Sequence, residues 1–202
     1  MDIEFNKISD FKRGIIFDLL SDAYSFDKNY ITDTSITKFH ESDNFFFDNL
    51  DIADSCGFIT TLKNEAIGFI CWDPRNTPEY AIIGDNCIIS KYKGKGYGKL
   101  QLQEAINRIT RNCVKKIFVS TDKALVSAQK MYESVGFIRL DNSTLEQWQI
   151  SQNQDIYYGI DISLNMNIRK VSINEYKQIN ELFWQSDSFH YDNEPYIRKT
   201  IQ

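Results

Sequence analysis

The chain has 202 residues, enough for one full core and cramped for a second complete domain. Apolar residues make up 42% and charged residues 25%, which excludes a disordered or fibrous chain, and no run approaches the ~18 consecutive apolar residues of a membrane span. The formal charge of -5 argues against a nucleic-acid partner, because phosphate backbones are held by basic faces, and it suits a cationic small molecule.

The opening Met1-Asp2-Ile3-Glu4-Phe5 lacks the basic and then apolar layout of a signal peptide. Cys56, Cys71, Cys87 and Cys113 are widely spaced and sit in or beside apolar runs. A cytoplasmic protein with reduced structural thiols, no disulfide frame and no metal site is therefore expected.

In chain order, Ile3 to Ile8 predicts a strand, and Ser9-Asp10 offers an N-cap for a helix with Phe11, Ile15, Ile16, Leu19 and Leu20 on one face. Ser35 to Leu50 predicts a second helix, whose Phe45-Phe46-Phe47, with Asp43, Asp48 and Trp72, either lines an acceptor cleft or serves as ordinary core and solvated face. Gly57 to Leu62 and Ala66 to Trp72, joined by the polar Lys63-Asn64-Glu65, predict a hairpin. A loop broken by Pro74 and Pro78 leads to an apolar strand from Tyr80 to Ile89.

From Gly98 the spacing of Leu102, Ala105, Ile106 and Ile109 is helical, Val114 to Ser120 is a buried strand, and Ala124, Ala128, Met131, Tyr132 and Val135 mark another helix stopped by Gly136. Phe137 to Leu140 and Asp155 to Ile162 close the order β-α-α-β-β-β-α-β-α-β-β. That order implies an α/β fold, a mixed central sheet with helices on both faces.

The strongest local signal is Lys91-Tyr92-Lys93-Gly94-Lys95-Gly96-Tyr97-Gly98-Lys99, between a buried strand and the start of a helix. Glycines admit positive φ and close approach to a ligand, and the first N–H groups of a helix point outward without internal partners, so the place suits an anion. The lysines add charge for a diphosphate. A Walker loop is excluded because Leu100 follows Gly98-Lys99, and the dinucleotide fingerprint fails on its last spacing. The plain alternative is a glycine-rich surface turn solvated by lysines.

Lys93-Gly94-Lys95-Gly96-Tyr97-Gly98 resembles the phosphate loop of the GNAT superfamily of acyl-CoA N-acyltransferases, Arg/Gln-x-x-Gly-x-Gly/Ala, with lysine at the first position. Ile88-Ile89-Ser90 stands where that family often has valine and proline, with Ser90 departing from the proline. Downstream, Ala128, Tyr132, Gly136 and Phe137 agree with the family's Asn-x-x-Ala-x-x-x-Tyr-x-x-x-Gly-Phe, while Leu125 replaces its asparagine.

The resemblance covers roughly residues 1–162, and the domain it implies spans residues 1–163. It implies a GNAT-like acyltransferase domain that uses acetyl-CoA as co-substrate, without metal, to acetylate a primary amine of a small molecule or peptide. It also implies a splayed strand running up to about Ile88, whose free N–H groups face the cofactor. The cofactor-binding positions it points to are Ile88, Ile89, Ser90, Lys93, Gly94, Lys95, Gly96, Tyr97, Gly98 and Lys99, with Asp122 or Ser127 standing in for the missing asparagine. Tyr132 matches the family tyrosine that protonates the leaving sulfur, a role open to a phenol with a reference pKa of about 10.

Asp85, on the strand before the loop, is the candidate base for the amine proton, directly or through water, unless it simply makes a turn with Gly84. Cys87 reads as buried packing, and His40 and His190 lack partners for a triad. A non-catalytic acyl-CoA-binding or regulatory module on the same fold is the competing expectation.

Residues 164–202 form a C-terminal extension. Asn167 to Val171 predicts a strand, and Ser172-Ile173-Asn174-Glu175 is a capping box opening a helix with Tyr176, Ile179, Leu182 and Phe183 inward. Slid by about 163 residues, the opening of the chain falls on this tail, so a partial second GNAT unit is one reading and a docking helix of chance similarity the other. Its apolar face would pack on the first domain, pair with a second copy in a homodimer, or stay mobile.

Overall fold

The computed structural model describes residues 3–147 and 156–163. The tail, with its strand and helix, its likeness to the start of the chain and His190, lies outside the described residues. Among the described residues, seven strands form one sheet in the order β1-β2-β3-β4-β5-β7-β6. Every neighbouring pair is antiparallel except β4 and β5, so the sheet is mixed as the element order implied.

The first strand, β1 (Ile3–Asn6), ends early, and helix α1 (Ile15–Tyr24) begins later than its apolar spacing implied. The reason lies outside the local sequence. Ser9 donates both its N–H and its hydroxyl to Asp54, at 3.0 and 2.6 Å, and caps nothing. The cap is instead Asp43, whose carboxylate accepts the N–H groups of Gly14 and Ile16 at 2.9 and 3.1 Å. A buried carboxylate at a helix N-terminus satisfies orphan donors and complements the helix dipole. Asp43 lies on α2 (Asp33–Asp48), and a short α3 (Leu50–Cys56) follows.

Strands β2 (Gly57–Leu62) and β3 (Glu65–Asp73) form the expected hairpin. Lys63 and Asn64 at its tip both have positive φ, 51° and 66°, as a tight two-residue turn requires. Then come β4 (Tyr80–Ile88), α4 (Tyr97–Thr110), β5 (Lys116–Thr121) and α5 (Val126–Ser134). Gly136, at φ 98°, ends α5 with the N–H of Phe137 on the Tyr132 carbonyl. The edge strand β6 (Ile138–Arg139), an additional short helix α6 (Asn142–Gln147) and β7 (Ile156–Asp161) complete the described residues.

Alternation along the strands divides the core between the two faces of the sheet. Phe58, Ile70, Trp72, Ala81 and Ile83 pack with Leu102, Ala105 and Ile109 of α4 and Tyr132 of α5. Ile59, Phe69, Cys71 and Cys87 pack with Ile16, Leu19 and Leu20 of α1 and Phe39 and Phe46 of α2. Arg108 on α4 lies 4.3 Å over the Phe58 ring while bonding Glu104 at 2.8 Å, which fixes the helix over β2. Among the described residues, no helix is long and apolar enough to cross a membrane.

Candidate functional site

Strand β4 changes character halfway. Tyr80 to Ile83 pair with Lys116 to Val119 of β5, and there the parallel ladder stops, although β5 goes on pairing with β7 through Thr121. On its other edge β4 follows β3 to the end, but with a bulge: Trp72 faces Ile83 and Ile70 faces Asn86, so three steps on β4 match two on β3. One extra residue reverses which way later side chains face. Ala81 and Ile83 point to the α4 side, and beyond the bulge Cys87 points to the α1 side. The bulge therefore turns Asp85 toward Ser42 of α2 and Asn86 toward Gln101 of α4.

Past Ile88 the chain makes a 3-10 turn and reaches the glycine loop. Gly94 and Gly96 hold φ of 73° and 85°, with open space where a Cβ would stand, and Gly96 is the N-cap of α4. Among the described residues, no amide N–H from Gly94 to Lys99 has a backbone or side-chain acceptor; the first helical bond is that of Leu100 to Gly96, at 3.2 Å. These amides border a cavity of about 550 Å³. Its walls are β4 from Asn86 to Ile88, the loop, and α5 through Ser127, Lys130 and Met131. At Gly98 a Cβ would meet the Met131 sulfur at 3.0 Å, so glycine lets α4 and α5 close on each other.

The polar groups beside the cavity are strongly perturbed. Burial pushes the Tyr132 phenol up to about 12, partly offset by the Asn86 amide beside it. It raises the Asp85 carboxyl, against a 2.9 Å bond from the Ser42 hydroxyl that lowers it. Burial also raises the Tyr24 phenol, and the Cys87 thiol rises to about 12, which makes Cys87 packing and not a nucleophile. Such a site has a proton donor that stays protonated at neutral pH, a carboxylate shifted toward neutrality, and a row of free amides for an anion.

The sequence profile of the acetyltransferase (GNAT) family matches residues 16–137, more than half of the chain. The chain belongs to the GNAT acetyltransferase family. Solved GNAT structures share its fold. PaiA N-acetyltransferase from Thermoplasma acidophilum, solved with coenzyme A, is 16% identical with a TM-score of 0.65, covering 80% of this chain and 99% of that one. A GNAT family acetyltransferase from Staphylococcus aureus is 15% identical at 0.63, covering 79% and 99%. Another from Elizabethkingia anophelis, solved with acetyl-CoA bound, is 19% identical at 0.53, covering 79% and 98%. No curated protein matches the chain.

Of the positions to which the family motifs pointed, Ile88, Lys93, Gly94, Gly96, Gly98, Lys99 and Ser127 line the cavity of this GNAT chain. The others are occupied elsewhere. The Ile89 N–H bonds the Ile67 carbonyl at 2.9 Å, and Ser90 gives its N–H and hydroxyl to Asp22. Lys95 bonds the Lys91 carbonyl at 2.8 Å, Tyr97 packs edge-on to Tyr92, and Asp122 accepts the Ala124 N–H at 2.7 Å in its own turn. Lys93, although at the wall, sends its ammonium to the Ala23 carbonyl at the end of α1 and lies 4.4 Å over the Phe26 ring.

Tyr132 is 4% exposed, behind a wall to which Asn86 belongs, and Asp85 is held by Ser42. Asp43 caps α1, Trp72 and Phe46 are core, and Asp48 pairs with Arg13, so none of these lines the cavity. His40 is exposed and stacks on Phe17 at 3.9 Å. Motif reading missed Lys130, Asn86 and Tyr24. Lys130 had a faint signal, two residues before the motif tyrosine on the same helix; Asn86 and Tyr24 had none.

Proposed function

We propose that this chain is an acyl-CoA-dependent N-acetyltransferase that moves an acetyl group from acetyl-CoA to a primary amine of a small molecule or peptide by direct attack. The observation that carries the reading is the row of unpaired amides from Gly94 to Lys99 on a cavity that opens where β4 leaves β5. Coenzyme A and acetyl-CoA in two structures of the same fold support the choice of ligand. The net charge of -5 supports a cationic amine over nucleic acid. A cytoplasmic setting, where thiols such as Cys56, Cys71 and Cys87 stay reduced, belongs to the same reading.

The residues present fit a diphosphate: amides aimed outward at a helix start, two glycines leaving open space, and Lys99 and Lys130 at the wall. Acetyl-CoA supplies an activated acyl thioester. The loop amides and the two lysines hold its phosphates and so orient the acyl end toward β4. Tyr132 Oη, its proton retained by burial, is the donor for the leaving sulfur. Asp85, with its carboxyl raised by burial, takes the proton that the amine loses.

Thiol release from acetyl-CoA with putrescine, lysine and benzylamine tests this. Turnover of at least one amine, with loss in Tyr132→Phe, is expected. Binding of coenzyme A without turnover of any amine would replace the reading with a non-catalytic acyl-CoA-binding module.

A further inference from the structure

Three buried side-chain atoms among the described residues lack a hydrogen-bond partner: Ser21 Oγ, Thr77 Oγ1 and Asn86 Nδ2. Of these residues only Asn86 lines the cavity. Its orientation is fixed by a chain of neighbours. Gln101, fully buried on α4, places one end of its side-chain amide 3.0 Å from the Phe69 carbonyl and 3.1 Å from the Cys87 carbonyl. Carbonyls only accept, so that end is Nε2, and the other end is the oxygen that takes the Thr60 hydroxyl at 2.6 Å. Nε2 also lies 2.8 Å from the Asn86 side chain, so the Asn86 atom facing it is the oxygen.

Asn86 Nδ2 is thereby turned away from Gln101. The Asn86 amide lies beside the Tyr132 hydroxyl, where it holds the phenol's pKa down against burial. Even Gly68 belongs to the arrangement. A Cβ there would come within 2.5 Å of Gln101 Oε1 and of the Ile88 side chain. A buried donor without a partner is uncommon, and a fixed one beside a proton donor has an evident use.

We infer that Asn86 positions Tyr132 and stabilises its anion: Asn86 Nδ2 donates to Tyr132 Oη as the phenol gives up its proton, with Gln101 and Thr60 locking the amide in that orientation. The inference rests on the reading of Tyr132 as the acid. In the step, the O–H bond of Tyr132 breaks and an S–H bond forms on the leaving thiolate, while the phenolate charge is met by the Asn86 N–H. Asp85 then releases the amine's proton to solvent and the phenolate takes one up from solvent, so thioester and amine become thiol and amide with both groups restored. A hydrogen bond to a phenolate is stronger than one to a phenol, so the gain falls in the transition state.

A double-mutant cycle tests it, using thiol release from acetyl-CoA with the fastest of putrescine, lysine and benzylamine. Asn86→Ala and the isosteric Asn86→Asp lower kcat by about ten- to a hundredfold, the range for a hydrogen bond to a charged group, and leave KM for acetyl-CoA within twofold. In a Tyr132→Phe background the same changes cost less than twofold. Tyrosine 13Cζ titration gives a readout free of turnover. The Tyr132 signal, identified by its loss in Tyr132→Phe, begins to titrate at higher pH in Asn86→Ala.

Equal losses in both backgrounds, a raised KM with kcat unchanged, or an unmoved Tyr132 titration would overturn the inference and leave Tyr132 as the acid. A Tyr132→Phe enzyme at full rate would overturn both.

Discussion

From Tyr80 to Ile83, β4 is paired with a strand on both edges; from Gly84 to Ile88, among the described residues, β3 is its one strand neighbour. The first half sends Ala81 and Ile83, 1% and 2% exposed, into the core. The second half carries Asp85 and Asn86, polar and part-buried, to the margin of a cavity. A strand in mid-sheet with both neighbours is a wall. Freed on one side and turned by a bulge, the same strand becomes a row of addressable groups.

The largest effect expected on the freed half is chemical. Tyr132→Phe lowers kcat by roughly a hundredfold or more with KM for acetyl-CoA nearly constant, because it removes a proton donor and no binding contact; steady-state kinetics read this directly. Gly68→Ala breaks the support of that half. Its new methyl has to displace Gln101 and Ile88, and urea unfolding shows a loss of about 3 kcal/mol.

Asp85→Asn sharpens the contrast in the opposite direction. A carboxyl raised in the folded state costs stability once it ionises, so the variant melts a few degrees higher at neutral pH. That gain shrinks as pH falls through the raised pKa and vanishes below the unfolded value of about 3.9, while acetyl transfer is slowed at every pH. Smallest is Lys99→Ala, which weakens coenzyme A binding by about threefold at low salt and by less at high salt, as calorimetry at two ionic strengths shows.

The contrast also marks what the amino-acid sequence discloses. The glycine loop was legible because positive φ at Gly94 and Gly96, and the free amides at the helix start that follows, have a composition signature. The hairpin tip at Lys63-Asn64 and the stop at Gly136 were legible for the same local reason. The start of α1 was not, since its cap is Asp43 on another helix, and propensity cannot see a partner brought by tertiary contact.

Nor was the bulge legible. One inserted residue at Gly84-Asp85 leaves an apolar strand still looking apolar, yet decides whether Asp85 faces α1 and α2 or α4. Gln101 reads as a polar residue on a helix surface, and its burial had one trace, the glycine at position 68 inside a strand. Among the motif positions, Ile89, Ser90 and Lys95 are tied to neighbours through contacts that spacing alone does not encode.

Coenzyme A recognition in this site depends on amides between Gly94 and Lys99 receiving an anion, and 15N–1H NMR of the whole protein titrated with coenzyme A watches those groups themselves. The amides of Gly94, Gly96 and Gly98 are expected to shift furthest, saturating with the ligand and moving less when a diphosphate-free fragment such as pantetheine replaces it. Saturation with coenzyme A that leaves those three amides where they were, while others move, would contradict this.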